Sequence, residues 1–436
     1  MPSIESKAQK GKKKSGRIGE WIFFGTLFLS VSALTFYLFR EQAMERFPSD
    51  MKAYILEIQG LNDVYSFPYP IFFWLGKFYW LFTTPEYAMA LATLTLNGLG
   101  MILMKMEFDR HLLVDLQLYL KKVGLERIVW LPGYITGFLS VALFFISMII
   151  MPSGYYLPGV KFKYVGVFTP NPFHNATYMA ARPFAILAFF TFLPLLRRFE
   201  SEKSFPGKKE DVKDCLIFSG SLLLATMAKP SFTIVLLGSA GLNMLYVLFA
   251  SKFQKILPTI LLGLCFVPTF IALVYQYSGV FVSSEEQVEA GMGFCFGEVW
   301  HAYCSFVPSA IVLGMAFPIS VLILNIKKLK TDIYFRFSWE LYAMSFLMAY
   351  FLYEKGFRKF DFNFAWGYMY GIFFGFVGAL FVLLKSTFEA IGLKQCLDRK
   401  RGMTFAILIV EWLAFLAHLI CGIVYFGSLM RGEFYY

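Results

Sequence analysis

Four short clusters of polar residues interrupt an otherwise apolar sequence of 436 residues. The first holds Asp50, Tyr54 and Glu57, whose spacing of four and three places them on one face of a helix that starts at Pro48-Ser49. A carboxylate of ordinary acidity on such a face can act as a general base toward a hydroxyl group. An acid in the first helical turn also stabilises the helix dipole, so position alone leaves both roles open.

The second cluster covers residues 169–178 and is followed four residues later by Arg182. Its prolines exclude a helix interior at its start, so a loop there can bring several donors to one ligand. These donors are Asn171, His174, Asn175, Thr177 and Tyr178. For His174, a structural hydrogen bond within the loop and a catalytic role are both open. The planar charge of Arg182 suits a lipid phosphate, or else the side chain reaches from the membrane to its surface.

The third and fourth clusters combine cations with aromatic rings. Lys229, followed by proline, separates two apolar runs, so it marks a tight turn and can present an ammonium to an anionic group. Aromatic faces beside polar groups, as in the fourth cluster, suit a sugar ring or an isoprenoid head group. The candidate binding residues of the fourth cluster are Arg358, Asp361, Asn363 and Trp366.

Membrane helices must hold these clusters, because the composition is far from that of a soluble domain. Hydrophobic residues make up 58% of the chain and charged residues only 16%. This excludes a disordered regulator, a disulfide-stapled secreted module and an ordinary cytosolic enzyme. A transporter, a channel or an enzyme acting at the bilayer remains. The net charge of +11 belongs to membrane topology rather than to nucleic-acid binding.

Eleven apolar runs are long enough, or nearly so, to cross about 30 Å of hydrocarbon. If the N-terminus is cytoplasmic, every inside loop is basic, as the positive-inside rule expects. We therefore predict an all-α polytopic protein of the plasma (inner) membrane with about eleven transmembrane helices and all four clusters on its extracytoplasmic face. The runs are residues 21–39, 86–104, 130–151, 182–196, 214–228, 232–250, 256–275, 307–325, 338–353, 367–384 and 404–428.

The segments between the runs are short, which predicts a single transmembrane domain over residues 21–428. Residues 1–20 form a basic cytoplasmic tail, and residues 429–436 a short outside tail. The first outside loop, residues 40–85, should contain interfacial helices. Its aromatic stretch at 71–82 lies in the interface or re-enters the membrane, since a twelfth span there would place a basic loop outside.

Two further segments carry predictions of their own. The inside segment 105–129 has leucines on one face, which is typical of an interfacial amphipathic helix. Cys295 and Cys304 share a predicted outside loop, so a disulfide and two free thiols are both open there.

An Asp shortly after the first span, with Tyr54 and Tyr69-Pro70 on the same outside loop and many short spans behind it, resembles the GT-C superfamily of polyprenyl-phosphate-dependent glycosyltransferases. The segments 172–184, 229–231 and 358–367 resemble a group of GT-C-like bacterial multi-span proteins. The resemblance implies a catalytic base at Asp50, a polyprenyl-phosphate-linked sugar as donor and a glycan or lipid as acceptor. No second acid directly follows Asp50, so the resemblance leaves a divalent metal ion open.

We therefore predict an integral-membrane glycosyltransferase with Asp50 as general base and membrane lipids as partners, without metal-ligating residues that we can name. The alternatives are a transporter or flippase of lipid-linked saccharide, and a polymerase or ligase of surface polysaccharide. The predicted substrate-binding residues are Tyr54, Glu57, His174, Asn175, Tyr178, Arg182, Lys229, Arg358, Asp361, Asn363 and Trp366.

A transporter needs charged groups within its spans, and Glu340, Glu411 and His418 are the candidates. Glu411 and His418 are seven residues apart on one helix face, so they form either a proton relay or a polar packing contact.

Overall fold

The structure, a computed structural model, describes residues 4–62, 66–150, 160–202, 205–281, 291–392 and 399–433. Helices dominate, as predicted, and two three-residue strands, β1 (Met292–Phe294) and β2 (Leu352–Glu354), pair antiparallel. The described helices are α1 (Ile4–Ala43), α2 (Met51–Gln59), α3 (Ile71–Trp80), α4 (Pro85–Phe108), α5 (Val114–Lys122), α6 (Leu131–Ala142), α7 (Ala176–Ser201), α8 (Lys209–Ala228), α9 (Ser231–Ala250), α10 (Ile256–Leu264), α11 (Val267–Phe281), α12 (Glu298–Tyr303), α13 (Val307–Leu324), α14 (Ile333–Phe351), α15 (Ala365–Gly392) and α16 (Arg399–Leu429).

Seven described helices are long and apolar enough to cross a membrane. The bent pair α10 and α11, with an angle of 53° between its halves, makes an eighth if it counts as one span. The chain therefore has the fold of an all-α polytopic membrane protein. The seven helices are Ile18–Ala43, Pro85–Lys122, Ala176–Ser201, Ser231–Ala250, Val307–Leu324, Arg358–Gly392 and Gly402–Leu429.

The predicted count of eleven spans is not confirmed. Each predicted run contains a helix or part of one, but α6, α8 and α14 are not among the candidate spans. α6 has only 12 residues, α8 begins with several charged residues, and α14 carries Arg336 and Glu340. In the first outside loop, α2 and α3 have 9 and 10 residues, so neither reaches across the hydrocarbon at about 1.5 Å per residue.

The apolar run 130–151 is not one helix. α6 ends at Ala142, and residues 143–150 continue as non-helical, largely buried chain. Backbone groups buried in such a place must find partners inside the protein. The amide of Asn171 provides two of them, since its Nδ2 donates to the carbonyls of Leu143 at 2.9 Å and Ile146 at 2.8 Å.

His418 on α16 satisfies the other side of the same segment. Its Nδ1–H donates to the Ser147 carbonyl at 2.7 Å, while its Nε2 accepts the Phe317 backbone N–H at 3.2 Å. That N–H is available because α13 has non-helical torsion angles at Met315. The Leu313 carbonyl, released by the same kink, accepts the Ile149 N–H at 2.8 Å. Two broken helices are therefore joined through their backbones and one imidazole.

The inside segment 105–129 does not begin as a separate interfacial helix. α4 passes through a π-helical turn, Asp109–Leu113, directly into α5, and together they form the continuous span Pro85–Lys122. The amphipathic pattern itself is confirmed, since Leu112, Leu116 and Leu120 are buried. Their face packs inside the protein, where α5 contacts α15, instead of facing lipid.

Two smaller predictions also meet the structure. The helix of the first outside loop begins one residue later than predicted, because Asp50 and not Ser49 occupies the N-cap position. Cys295 and Cys304 are both free thiols, which settles the alternatives left open for them.

The most extensive helix–helix contact in the described chain is between α14 and α15, and it depends on glycines. A Cβ at Gly371 would lie 2.9 Å from Ser345 Cβ and 3.2 Å from the Tyr342 Cα, and one at Gly378 would lie 2.7 Å from Ser338 Cβ. Small residues at such positions let helix backbones approach closely in a membrane. This packing fixes α15, which carries Trp366, against its neighbours.

Gly371→Ala is expected to lower the thermal unfolding midpoint of the detergent-purified protein, because the added methyl group overpacks the α14–α15 contact at a cost of about 1–3 kcal/mol. Gly241→Ala on α9 is the matched control, since nothing lies within 4 Å of its Cβ position. The control should unfold at or above the wild-type midpoint, because alanine favours a helix over glycine. Equal midpoints for the two variants would show that the α14–α15 contact is not tight.

Candidate functional site

Asn175 brings the first two polar clusters together. It is the N-cap of α7, and its Oδ1 accepts the Tyr178 backbone N–H at 2.9 Å. Its Nδ2 donates to Asp50 Oδ2 at 2.7 Å and to the Tyr54 hydroxyl at 3.0 Å. Helix capping therefore orients the amide so that its donor end points at the carboxylate of the first cluster.

The same amide oxygen connects the third cluster. Lys229 Nζ donates to Asn175 Oδ1 at 3.0 Å and to Thr177 Oγ1 at 2.9 Å. The ammonium also lies over the Trp366 ring, 4.4 Å from its centroid, which adds a residue of the fourth cluster. The Asn175 amide thus lies between the Asp50 carboxylate and the Lys229 ammonium, and the Trp366 ring covers the ammonium.

Asp50 does not cap the helix that it precedes. At the N-cap of α2 its side chain makes no capping hydrogen bond, while Ser49 Oγ accepts the Met51 N–H at 3.2 Å. The Asp50 backbone N–H donates to the His174 carbonyl at 3.1 Å. The residue itself is exposed. Its carboxylate is therefore directed at Asn175 and solvent, not at the start of α2.

Lys229 lies in the turn between α8 and α9, as predicted, and is only 7% exposed. Burial is the largest influence on its pKa and lowers it from 10.5 to about 7, while Asp50 partly opposes this shift. The amine therefore changes its charge near neutral pH.

A chain of contacts continues through the fourth cluster. Trp366 Nε1 donates to Asn363 Oδ1 at 3.2 Å, and Asn363 Nδ2 donates to Glu354 Oε2 at 2.7 Å. Arg358 pairs with Glu354 at 3.5 Å and with Asp361 at 3.1 Å. The sheet holds this rim, because Glu354 on β2 is paired with Met292 on β1.

His174 closes the site on the side of the second cluster. Its Nδ1 and the Tyr164 hydroxyl are 2.5 Å apart, and its ring centroid lies 5.6 Å from that of Trp366. Burial lowers its pKa to about 4, so the imidazole is neutral at physiological pH. A neutral ring packed against Trp366 fits a structural role in the loop.

Three predicted site residues lie apart from the Asp50 carboxylate. Arg182 is 1% exposed, and its Nη1 donates to Asn171 Oδ1 at 2.6 Å beneath aromatic rings that enclose it. Tyr178 is buried, and its hydroxyl donates to the Pro170 carbonyl at 3.2 Å. Glu57 accepts a hydrogen bond from Asn62 at 2.6 Å. The position of Arg182 gives no support to the predicted contact with a lipid phosphate.

Thr177, named with the second cluster, completes the hydrogen bonding of Lys229 and lies next to the Asn175 side chain. Sequence reasoning missed Tyr164, which completes the hydrogen bonding of His174. Tyr164 lies ten residues before His174 in an irregular segment, and no spacing pairs them.

The three candidates for a transport role, Glu340, Glu411 and His418, have structural partners. Glu340 pairs with Arg336 at 3.4 Å, and Glu411 accepts from Asn325 at 2.7 Å. Both ring nitrogens of His418 are used by backbone groups, as described above. This arrangement supports the packing alternative over a relay between Glu411 and His418.

The acids of the site do not form a set suited to a divalent metal. Over the residues that the structure describes, no three His, Cys, Asp or Glu side chains are grouped as metal ligands. Asp50 faces Asn175 and is near the Lys229 charge, whereas Glu354 and Asp361 are paired with Arg358. We therefore derive no step through a metal.

No protein-family model, no curated protein and no solved structure matches this chain.

Between about pH 7 and pH 10.5 the unfolded chain binds more protons than the folded one, because burial lowers the Lys229 pKa only in the folded state. The stability of the wild type relative to Lys229→Met should therefore rise with pH across this window, by at most about 1.4 kcal/mol per pH unit. Thermal unfolding midpoints of both proteins from about pH 6 to about pH 9 measure the effect. A difference that stays constant over this range would contradict the assignment.

Proposed function

We propose that this chain is an integral-membrane glycosyltransferase that moves a sugar from a polyprenyl-phosphate donor to an extracytoplasmic glycan or lipid acceptor. The observation that carries the proposal is the amide of Asn175, which joins the exposed carboxylate of Asp50 to the buried ammonium of Lys229 beside the Trp366 ring. The reaction needs a base for the acceptor, positive charge for the departing phosphate and a platform for the sugar.

Asp50 is the general base of the proposed reaction. As the acceptor oxygen bonds to the anomeric carbon, its hydroxyl proton passes to the Asp50 carboxylate. The bond between that carbon and the phosphate oxygen breaks, and its electron pair leaves with the lipid phosphate. The donated hydrogen bond from Asn175 orients one carboxylate oxygen, and exposure leaves the group open to an acceptor.

The two cations contribute in different ways. The Lys229 ammonium already has two hydrogen-bond acceptors and a ring face, so it acts on the departing phosphate through its charge rather than through a new hydrogen bond. Arg358 on the rim has a side chain that is 27% exposed and is the better placed cation for direct contact. Its guanidinium can bind a phosphate with two parallel N–H groups.

Trp366 is the proposed platform for the sugar. Its ring is partly exposed, while Lys229 and His174 lie against it and the hydrogen bond to Asn363 fixes its orientation. Tyr69 lies in the loop directly before α3, where the charges of Arg358, Asp50 and Glu354 act on it. Rings around polar groups suit the faces and hydroxyls of a sugar.

The prenyl chain of the donor would stay in the lipid next to α3. This helix begins directly after Tyr69-Pro70 and exposes apolar side chains, with Trp74 at 61%, Phe78 at 54% and Leu81 at 76%. Exposed aromatic residues are typical of a membrane interface. A lipid held beside α3 has its phosphate at the level of the site, on the extracytoplasmic face if the N-terminus is cytoplasmic.

The transport and polysaccharide-polymerase alternatives have less support. Transport would depend on the polar groups within the spans, and His418 is occupied by backbone contacts. No observation specific to a polymerase or ligase favours that reading over transfer of a single sugar.

Asp50→Asn keeps the shape of the side chain and removes the base, so the transfer rate should fall by about 10²- to 10⁴-fold. Mass spectrometry of lipid extracts and surface glycans from cells carrying this variant should show accumulated polyprenyl-phosphate sugar and loss of one glycan substituent, as in cells without the protein. Glu45→Gln, in the same predicted outside loop, is the matched control and should be close to wild type, because the Glu45 carboxylate is exposed and pairs with the exposed Lys52 at 2.8 Å. A silent Asp50→Asn beside a defective Glu411→Gln would overturn the proposal in favour of transport.

A further inference from the structure

Lys229 occupies a turn whose backbone lacks one hydrogen bond. α8 ends at Ala228, and Pro230 follows Lys229. Lys229 has extended torsion angles, so the chain leaves the helix before residue 230 and no helical N–H reaches the Thr226 carbonyl. The Lys229 N–H donates to the Ala225 carbonyl at 2.9 Å. The carbonyl of Thr226 therefore requires a donor from elsewhere in the protein.

Gln276 on α11 is that donor. Its Nε2 donates to the Thr226 carbonyl at 2.9 Å, and the residue is only 5% exposed. Its Oε1 is buried without a hydrogen-bond partner among the residues that the structure describes. Burying the Oε1 without a hydrogen bond costs about 1–3 kcal/mol. The hydrogen bond from Nε2 to Thr226 offsets part of this cost.

A second contact closes the turn from the side of α9. Thr226 Oγ1 and Thr233 Oγ1 are 2.9 Å apart, which ties the end of α8 to the first turn of α9. The backbone that carries Lys229 is therefore held from α9 by Thr233 and from α11 by Gln276. A fixed backbone sets the point from which the lysine side chain extends toward Asn175, Thr177 and Trp366.

We propose that Gln276 is a positioning residue that holds Lys229 in the site by donating to the Thr226 carbonyl at the end of α8. Gln276 is not catalytic, since its hydrogen bond is to the carbonyl of Thr226 and not to any group of the site. The inference rests on the proposed function only in treating Lys229 as a cation of that site. Its test needs no transferase activity, so the two proposals can fail separately.

The titration of Lys229 is a sensitive report of its position. The charged and titratable groups that face it are Asp50, Glu354, Arg358, His174 and Tyr54, from the start of α2, the β2 rim and the loop before α7. Burial lowers the Lys229 pKa to about 7. If the ammonium were displaced, its burial and its distances to these charges would change, and its pKa would change with them. The Trp366 ring beneath the ammonium is a natural probe, because its emission depends on a charge at that distance.

The measurement is the tryptophan emission of the purified full-length protein from about pH 5.5 to about pH 9. The chain has eight tryptophans in all. Subtracting the emission of Trp366→Phe removes the signal of all of them except Trp366. The wild type should show a transition near pH 7 that Lys229→Met abolishes. Gln276→Met, which keeps the length of the side chain without a donor, should move the midpoint by about half a pH unit or more, or halve the amplitude.

Two further variants make the test specific. Val274→Ala, on the exposed face of α11, is the matched control and should titrate like the wild type. Thr233→Val removes the hydroxyl that holds the end of α8 from α9, so it should also move the midpoint. A role of Gln276 in stability alone would lower the unfolding midpoint and leave the titration unchanged.

An unchanged transition in Gln276→Met would overturn the inference. So would a wild type without a Lys229-dependent transition, because Lys229 would then not titrate beside Trp366 as the inference requires. A normal set of titrations together with a silent Asp50→Asn in the lipid measurement contradicts the proposed function and leaves the role of Gln276 standing.

Discussion

The candidate site is organised around one primary amide. The side chain of Asn175 accepts hydrogen bonds from α7 and Lys229 through its oxygen and donates to Asp50 and Tyr54 through its nitrogen. Because the helix N–H fixes the direction of the amide, the carboxylate must lie on one side and the ammonium on the other. The amide also keeps them from forming a direct ion pair, which would hold the carboxylate away from other partners. Asp50 stays exposed, while Lys229 stays buried under an aromatic ring.

Local patterns predicted the parts of this site, and the charge of the inside loops predicted that they share one side. The periodicity of α2, the turn at Lys229 and the loop before α7 are properties of a few neighbouring residues. The partners of each residue are not: Asn175 and Asp50 are 125 positions apart, and no spacing pairs them. Arg182 shows the limit most clearly. Its sequence context is that of a cation at the mouth of a span, but Phe144 and Phe373, from distant parts of the chain, cover it.

Hydropathy predicts where chain is buried, but not whether buried chain is helical. Residues 130–151 are apolar throughout, so their composition does not distinguish a helix from a non-helical segment enclosed by protein. The difference lies in which groups hydrogen-bond to the backbone, and Asn171 and His418 can be identified as those partners only when the fold is known. The same holds for the span count, since α6, α8 and α14 complete the bundle without the length or apolarity of an independent span.

The non-helical segment 143–150 also constrains the order in which the protein can be built. Its carbonyls are satisfied by Asn171, and Ser147 reaches His418, which is 271 positions later in the chain. Until α16 has been synthesised and inserted, that part of the segment has no protein partner, and lipid offers none. Residues 143–150 therefore reach their final state only after the last helix arrives. Helix α16 therefore completes the hydrogen bonding of a segment that was synthesised 271 positions earlier.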